Sequence, residues 1–360
     1  MMRIKRHNKA VIETDLNAEN AAQPGSIHNV QPDEVWSRES WGRLHASIEK
    51  KVLRQTGEAD ARSASARWGR KVLRSYSSSF YAVTRFLPAA KRADVEIVYA
   101  AVRYPDEVVD TFDLSPELKS AAIEDWHDHF EDSASFTGIR EMVENGIPVT
   151  VAGFRDVARR NGIPDRYYAA FLRSMRRDIS QRTYATWEDL IENYIYGSAS
   201  VVGYFLALIY KPAPGATMRQ CLESARALAI ALQLTNFARD VSDDSARGRS
   251  YLPLDQVDAD GKRVSDGVRA GDRASIEEAK LQLAELAASW YEKAEPGIQA
   301  FHPDSRIAIE ACHRLYSRLN NKILSSGSIT ERSSLSVFEK LSVLPVSSYW
   351  RLPVALIFER

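Results

Sequence analysis

Charge of neither sign is in excess in this 360-residue sequence: 48 Lys plus Arg stand against 48 Asp plus Glu. That balance excludes a chain-wide electrostatic footprint for nucleic acid and leaves room only for local basic sites. Cysteine is scarce. Cys221 and Cys312 are the only two, far apart, with neither metal-ligand spacing nor the density of a disulfide framework. A reducing, cytoplasmic setting is expected. Long apolar runs are missing as well: the longest, Val201 to Tyr210, is too short to cross a bilayer. The basic residues that open the chain are followed by no apolar stretch of the secretory type. Sustained period-two alternation, hairpin dipeptides between apolar runs and internal repeats are absent too.

What is present is helical. Hydrophobic residues make up 44% of the chain, enough for a sizeable core. Residues 1–32 read as a flexible polar tail. Residues 33–67 read as an N-terminal extension, with Trp36, Trp41, Leu44, Ile48 and Val52 at near-helical spacing and a small, polar linker from Gly57 to Ser65. From 68 to 345 the pattern predicts one all-α domain of many helices. Ser115-Pro116-Glu117 marks a helix start, and Thr186 to Asp189 and Ser275 to Glu278 look like capping boxes. Gly146-Ile147-Pro148, Gly162-Ile163-Pro164 and Pro212 to Gly215 punctuate between helices. Residues 346–360 form an apolar C-terminal segment, in which Trp350 and Arg351 suit peripheral membrane contact.

Two acidic stretches carry the chemistry. Gln233, Asn236, Asp240 and Asp244 recur at helical spacing, so one helix face presents a row of amide and carboxylate oxygens. Such oxygens suit Mg²⁺, which typically takes one or two carboxylates together with substrate phosphates. Asp106 and Asp110 lie one turn apart, with Arg103 three residues before them. A fixed cation followed by two carboxylates suits a diphosphate. A lone pair of this kind also occurs on solvated faces, where its ion pair with Arg103 is worth little. The combination of two such stretches favours the metal–diphosphate reading.

These residues resemble the squalene/phytoene synthase family. The strongest match is Leu234 to Pro253, covering the family's second acidic motif and the following Gly-Arg-x-Tyr-Leu-Pro; the second is Tyr99 to Asp110. Weaker matches are Tyr76 to Phe80 with Arg85 to Pro88, and Tyr194 to Gly203. The resemblance implies an isoprenoid synthase fold, with many helices around a central cavity and the two acidic motifs facing each other at its mouth. Asp106, Asp110, Asn236, Asp240 and Asp244 would hold Mg²⁺ against the diphosphate. Arg103, Gln233, Arg239, Arg249 and Tyr316 would contact the diphosphate, with Arg332 as a further basic contact, and Phe80 and Tyr99 would lie near the reacting carbons. The implied activity is ionisation of an allylic prenyl diphosphate and head-to-head condensation with a second one, farnesyl or geranylgeranyl.

The sequence departs from the family at several places. Ser78 occupies a diphosphate-contacting position that is usually basic, Ser200 replaces a frequent glycine and is expected to narrow the cavity, and Glu107 replaces an Asp. Pro105 is expected to kink its helix. Because these changes touch the second-substrate side, prenyl transfer to an aromatic acceptor such as a carbazole is the alternative. Terpene cyclisation and a non-catalytic binding or assembly role stand behind it. His127-Asp128-His129 and the arginines 173, 176, 177 and 182 read as solvated surface, and no dinucleotide fingerprint is present.

Overall fold

The computed structural model describes residues 36–180, 183–246 and 249–325. Their regular structure is helical: α1 (Arg38–Leu53), α2 (Glu58–Tyr76), α3 (Ser78–Thr84), α4 (Ala89–Asp110), α5 (Pro116–Asp132), α6 (Ile139–Glu144), α7 (Val149–Asn161) and α8 (Asp165–Asp178) come first. A short α9 (Trp187–Leu190) runs into a π-helix (Ile191–Ser200) and on into α10 (Val201–Tyr210). Then follow α11 (Met218–Ala246), α12 (Val264–Arg269), α13 (Arg273–Ala294) and α14 (Pro303–Ser325). Among the described residues β pairing is limited to two isolated bridges, and no helix is long and apolar enough to cross a membrane. Cys221 and Cys312 are free and buried.

Local chemistry sets the helix ends. Ser115 caps α5, its side chain accepting from the Leu118 N–H ahead of a first-turn proline, and Thr186 caps α9. At α13 the cap differs from the expected one. The cap lies three residues before Ser275: Asp272 accepts from the Ser275 N–H directly after Gly271, whose φ of 73° no β-branched side chain would tolerate. The expected linker from Gly57 to Ser65 is corrected as well. Glu58 to Ser65 is the first half of α2, and its small residues Ala61, Ala64 and Ser65 are buried. They are small for packing, not for flexibility. Further along α2, a methyl at Gly69 would sit 2.2 Å from the Glu96 carbonyl oxygen, so α2 crosses α4 in backbone contact.

Helix α4 continues through Pro105 to Asp110. Proline cannot donate to the carbonyl four residues earlier, which leaves the Ala101 oxygen without its helical partner. The buried Tyr168 hydroxyl donates to that oxygen at 2.8 Å, and the Trp126 indole N–H donates to Tyr168 at 2.9 Å. The proline is thus tolerated because α8 supplies the missing hydrogen bond.

Candidate active site

Helices α4, α8, α10, α11 and α14 surround a cavity of about 360 Å³. At one end it is lined by Arg103, Asp106, Gln233, Asn236 and Tyr316; Phe80 and Tyr99 stand just inside. Beyond them the wall is Val202, Leu206, Ala207, Leu228 and Ile309, closing on Tyr210, Ser224 and Phe301. From Asn236 back to Ser224 along α11 is about 18 Å at 1.5 Å of rise per residue.

The sequence-predicted residues separate into groups. Phe80, Tyr99, Arg103, Asp106, Gln233, Asn236 and Tyr316 converge on this one cavity. Asp110 lies one turn beyond Asp106 on α4, and Asp240 and Asp244 extend the Asn236 face of α11 by one and two turns. Asp244 and Arg249 line a small adjoining hollow with Phe237 and Tyr251. Ser78 is an exposed residue at the start of α3, outside the lining. Ser200 is fully buried, also outside the lining, so the expected narrowing does not follow from it. The close wall there is Gly203, where a methyl would sit 3.0 Å from the Ala225 carbonyl oxygen. Arg332, Trp350, Arg351 and Arg182 lie outside the described residues. Arg176 pairs with Glu124 at 3.5 Å, and His127 and His129 pair with acids on their own helix.

Three carboxylates at the mouth each hold an arginine. Arg103 donates to Asp106 at 2.6 Å, Arg249 to Asp110 at 2.6 Å, and Arg239 to Asp240 through two hydrogen bonds, one of them 2.9 Å. The Arg249 bond ties the loop after the second acidic stretch to the first, fixing the separation of the two faces. Asp106 keeps 36% of its side-chain surface open, and that surface faces the cavity. Burial among protein groups pushes its pKa up to about 6, against the pull of Arg103 and with a further push from Asp110 and Glu107. Among the described residues no three His, Cys, Asp or Glu side chains converge to hold a metal by themselves. The donors are all oxygens on two opposed faces, a set that fits Mg²⁺ completed by substrate phosphates.

Compared with known families, residues 73–339 match one described as squalene/phytoene synthase. The chain belongs to the squalene/phytoene synthase family. It is 31% identical over 313 residues to a phytoene synthase of Arthrospira platensis, covering 83% of this chain and 94% of that one. With a 15-cis-phytoene synthase of a Paracoccus strain it shares 30% over 281 residues, covering 76% and 87%. A ligand-bound dehydrosqualene synthase superposes with a TM-score of 0.64 at 22% identity, over 82% of this chain and 99% of that one, establishing the isoprenoid synthase fold. Like these relatives, the chain is a prenyltransferase.

Asp178, and the part Tyr194 plays beside it, escaped sequence reasoning. The Tyr194 hydroxyl, in the cavity wall, donates to Asp178 at 2.7 Å, and its ring stacks on Tyr251 at 5.4 Å. Burial drives the Asp178 pKa up to about 8; the Tyr194 bond opposes this and the nearby Asp110 charge adds to it. A signal did exist. Asp178 is the last residue of α8, where a carboxylate opposes the helix dipole, and it sits among arginines. The π-helix that delivers Tyr194 to the wall has no comparable sequence mark; its wide turn brings Gly197 so close to α8 that a methyl would lie 2.7 Å from Ser174 Cβ.

Proposed function

We propose that this family member condenses two allylic prenyl diphosphates head to head, with geranylgeranyl diphosphate as the favoured substrate. The observation that carries the reading is the junction of an oxygen- and arginine-lined mouth with a deep apolar chamber. The phytoene synthase relatives favour the longer donor.

The first step breaks the C1–O bond of the donor, both electrons leaving with diphosphate. Arg103, Arg239 and Arg249, each held by a carboxylate, are positioned to transfer their hydrogen bonds to phosphate oxygens as charge develops. Asp106, Asp110, Asn236, Asp240 and Asp244 would hold Mg²⁺, which when bound neutralises diphosphate and makes it a better leaving group. The allylic cation then lies in a chamber that excludes water, beside Phe80 and Tyr99, whose rings stand 6.0 Å apart. A ring face within about 6 Å of the cation attracts it by about 0.5–2 kcal/mol. The double bond of the second prenyl diphosphate attacks the cation, and proton loss closes a cyclopropane. Loss of the second diphosphate leaves a cyclopropylcarbinyl cation that rearranges to an open allylic cation, and loss of a proton from that cation gives the linear hydrocarbon.

The aromatic-acceptor alternative drew on the departures at Ser78, Ser200, Pro105 and Glu107 together. That weight is reduced, because Ser78 stands outside the cavity lining. Incubation with Mg²⁺ and geranylgeranyl or farnesyl diphosphate, with and without a carbazole, followed by mass spectrometry, tests the reading. A C40 hydrocarbon is expected. A prenylated carbazole in its place, or no diphosphate release from any donor, overturns it.

A further inference from the structure

Helix α1 precedes the segment that matches the family, yet it reaches the mouth of the site. Trp36 and Trp41, both buried, pack with Trp68 and Tyr76 in a cluster of four rings with centroids 5.2–5.9 Å apart. The contact is polar as well as apolar. The Trp36 backbone N–H and the Trp41 indole N–H donate to the Tyr76 hydroxyl oxygen at 3.1 and 2.7 Å. With two donors on its oxygen, the phenol has its own proton left to give. Glu107, fully buried on α4, lies close enough for its charge to bear on the phenol. The Tyr76 ring also carries the Arg103 guanidinium on its face, 4.4 Å from the centroid. Arg103 in turn bridges Glu107 on the buried side and Asp106 on the cavity side.

We propose that Trp36 and Trp41 are positioning residues for Arg103, acting through Tyr76 so that an element outside the family domain presets the cation that receives the substrate diphosphate. This rests on the reading that the mouth binds a diphosphate. The physical argument is one of pre-organisation. An arginine free to rotate loses side-chain entropy on binding, whereas one already stacked on Tyr76 and bonded to Glu107 has lost it on folding. The indole N–H fixes the phenol in place, and with it the ring face under Arg103. Had α1 served stability alone, its apolar contacts with α2 and α7 would have sufficed, and no indole N–H need point at the phenol whose ring carries the Arg103 guanidinium.

The test uses the full chain and inorganic pyrophosphate, titrated calorimetrically in the presence of MgCl₂. Trp41→Phe keeps an aromatic ring and removes the N–H; Tyr76→Phe keeps the stacking and removes the hydroxyl. Each is expected to weaken pyrophosphate binding by roughly two- to tenfold, the range that one hydrogen bond carries. The KM for the allylic donor should rise with it, with kcat changed less than about twofold. In the double variant the two losses should not add, because both cut the same chain of contacts. Unchanged pyrophosphate affinity in both variants, even with a lowered melting temperature, overturns the proposal and leaves α1 a structural brace. Additive losses overturn it too, as does a wild-type chain that binds no pyrophosphate. A wild type that binds pyrophosphate but turns over no allylic diphosphate would defeat the proposed function alone.

Discussion

The mouth of the cavity and its depths are built on opposite principles. At the mouth the charged side chains are already matched: Arg103 with Asp106 and Glu107, Arg249 with Asp110, Arg239 with Asp240. Toward the floor the wall is aliphatic and aromatic, and its few hydroxyls are turned to other tasks, as when Ser224 donates to the Ala294 carbonyl. The two ends consequently answer different questions. On the proposed function, the mouth acts on the carbon–oxygen bond whatever tail is attached, while the depths select the tail and contribute to the chemistry by keeping water out.

Substitutions at the two ends should therefore fail in different ways. The largest effect is expected at the mouth: Asp106→Ala and Asp240→Ala should each cut turnover by at least about a hundredfold with every donor, since on the proposed function each removes oxygens that act on the leaving group. Diphosphate release from farnesyl and geranylgeranyl diphosphate measures it, and unimpaired release by both variants would end the assignment. Ala225→Phe, deep in the wall on α11, should be selective instead. The kcat/KM ratio of geranylgeranyl to farnesyl diphosphate should drop about tenfold, corresponding to roughly 1.4 kcal/mol of discrimination. A uniform loss on both donors would show that position 225 does not gauge length.

Legibility followed the same division. The mouth could be read from the sequence because its chemistry needs specific residue types at helical spacing, and Asp106, Asp110, Asn236, Asp240 and Asp244 have no cheaper explanation as a set. The all-α class was equally plain from the caps and periodicity. The floor was not legible. Ser224, Phe301 and Ile309 lie far apart in sequence, and any of them would serve as ordinary core. The linker expected over Gly57 to Ser65 failed for a related reason: small residues signal either flexibility or close packing, and only the neighbouring helix decides which. Tyr194 was in view within its motif. Its role depended on a π-helical turn and on Asp178, sixteen residues earlier by count, and propensity marks neither.

Asp178 gives a prediction about what lies beneath the mouth. Its folded pKa of about 8 lies above its ordinary value of 3.8 because burial disfavours the charge. The folded state then binds this proton more tightly than the unfolded chain. Its contribution to stability is fully present below about pH 4 and is lost as pH rises toward 8. Asp178→Asn, which keeps an acceptor for the Tyr194 hydroxyl, should raise stability above pH 8 by up to a few kcal/mol, with the advantage shrinking toward pH 5. Melting curves of the metal-free protein across that range would show it, and a pH-independent difference would mean that Asp178 is ionised in the folded state.

The smallest expected effect concerns how α4 carries its acidic face past Pro105. Tyr168→Phe removes the donor that replaces the missing proline N–H, leaving the buried Ala101 carbonyl unpaired and depriving the Trp126 indole of its acceptor. A cost of about 1–3 kcal/mol in denaturant unfolding is expected, with pyrophosphate affinity unchanged. Pro105→Ala in the same background restores a backbone N–H at 105 and with it the ordinary helical partner for Ala101. The double variant should therefore recover part of the loss, whereas Pro105→Ala alone, with Tyr168 already bonded to that carbonyl, should gain less. If the proline substitution gives the same increment in both backgrounds, the two residues are uncoupled and Pro105 is tolerated for some reason other than the Tyr168 hydrogen bond. If instead pyrophosphate affinity falls with Tyr168→Phe, the geometry of the mouth depends on packing one helix away, and the separation between a chemical mouth and a merely supporting interior is less sharp than the cavity walls suggest.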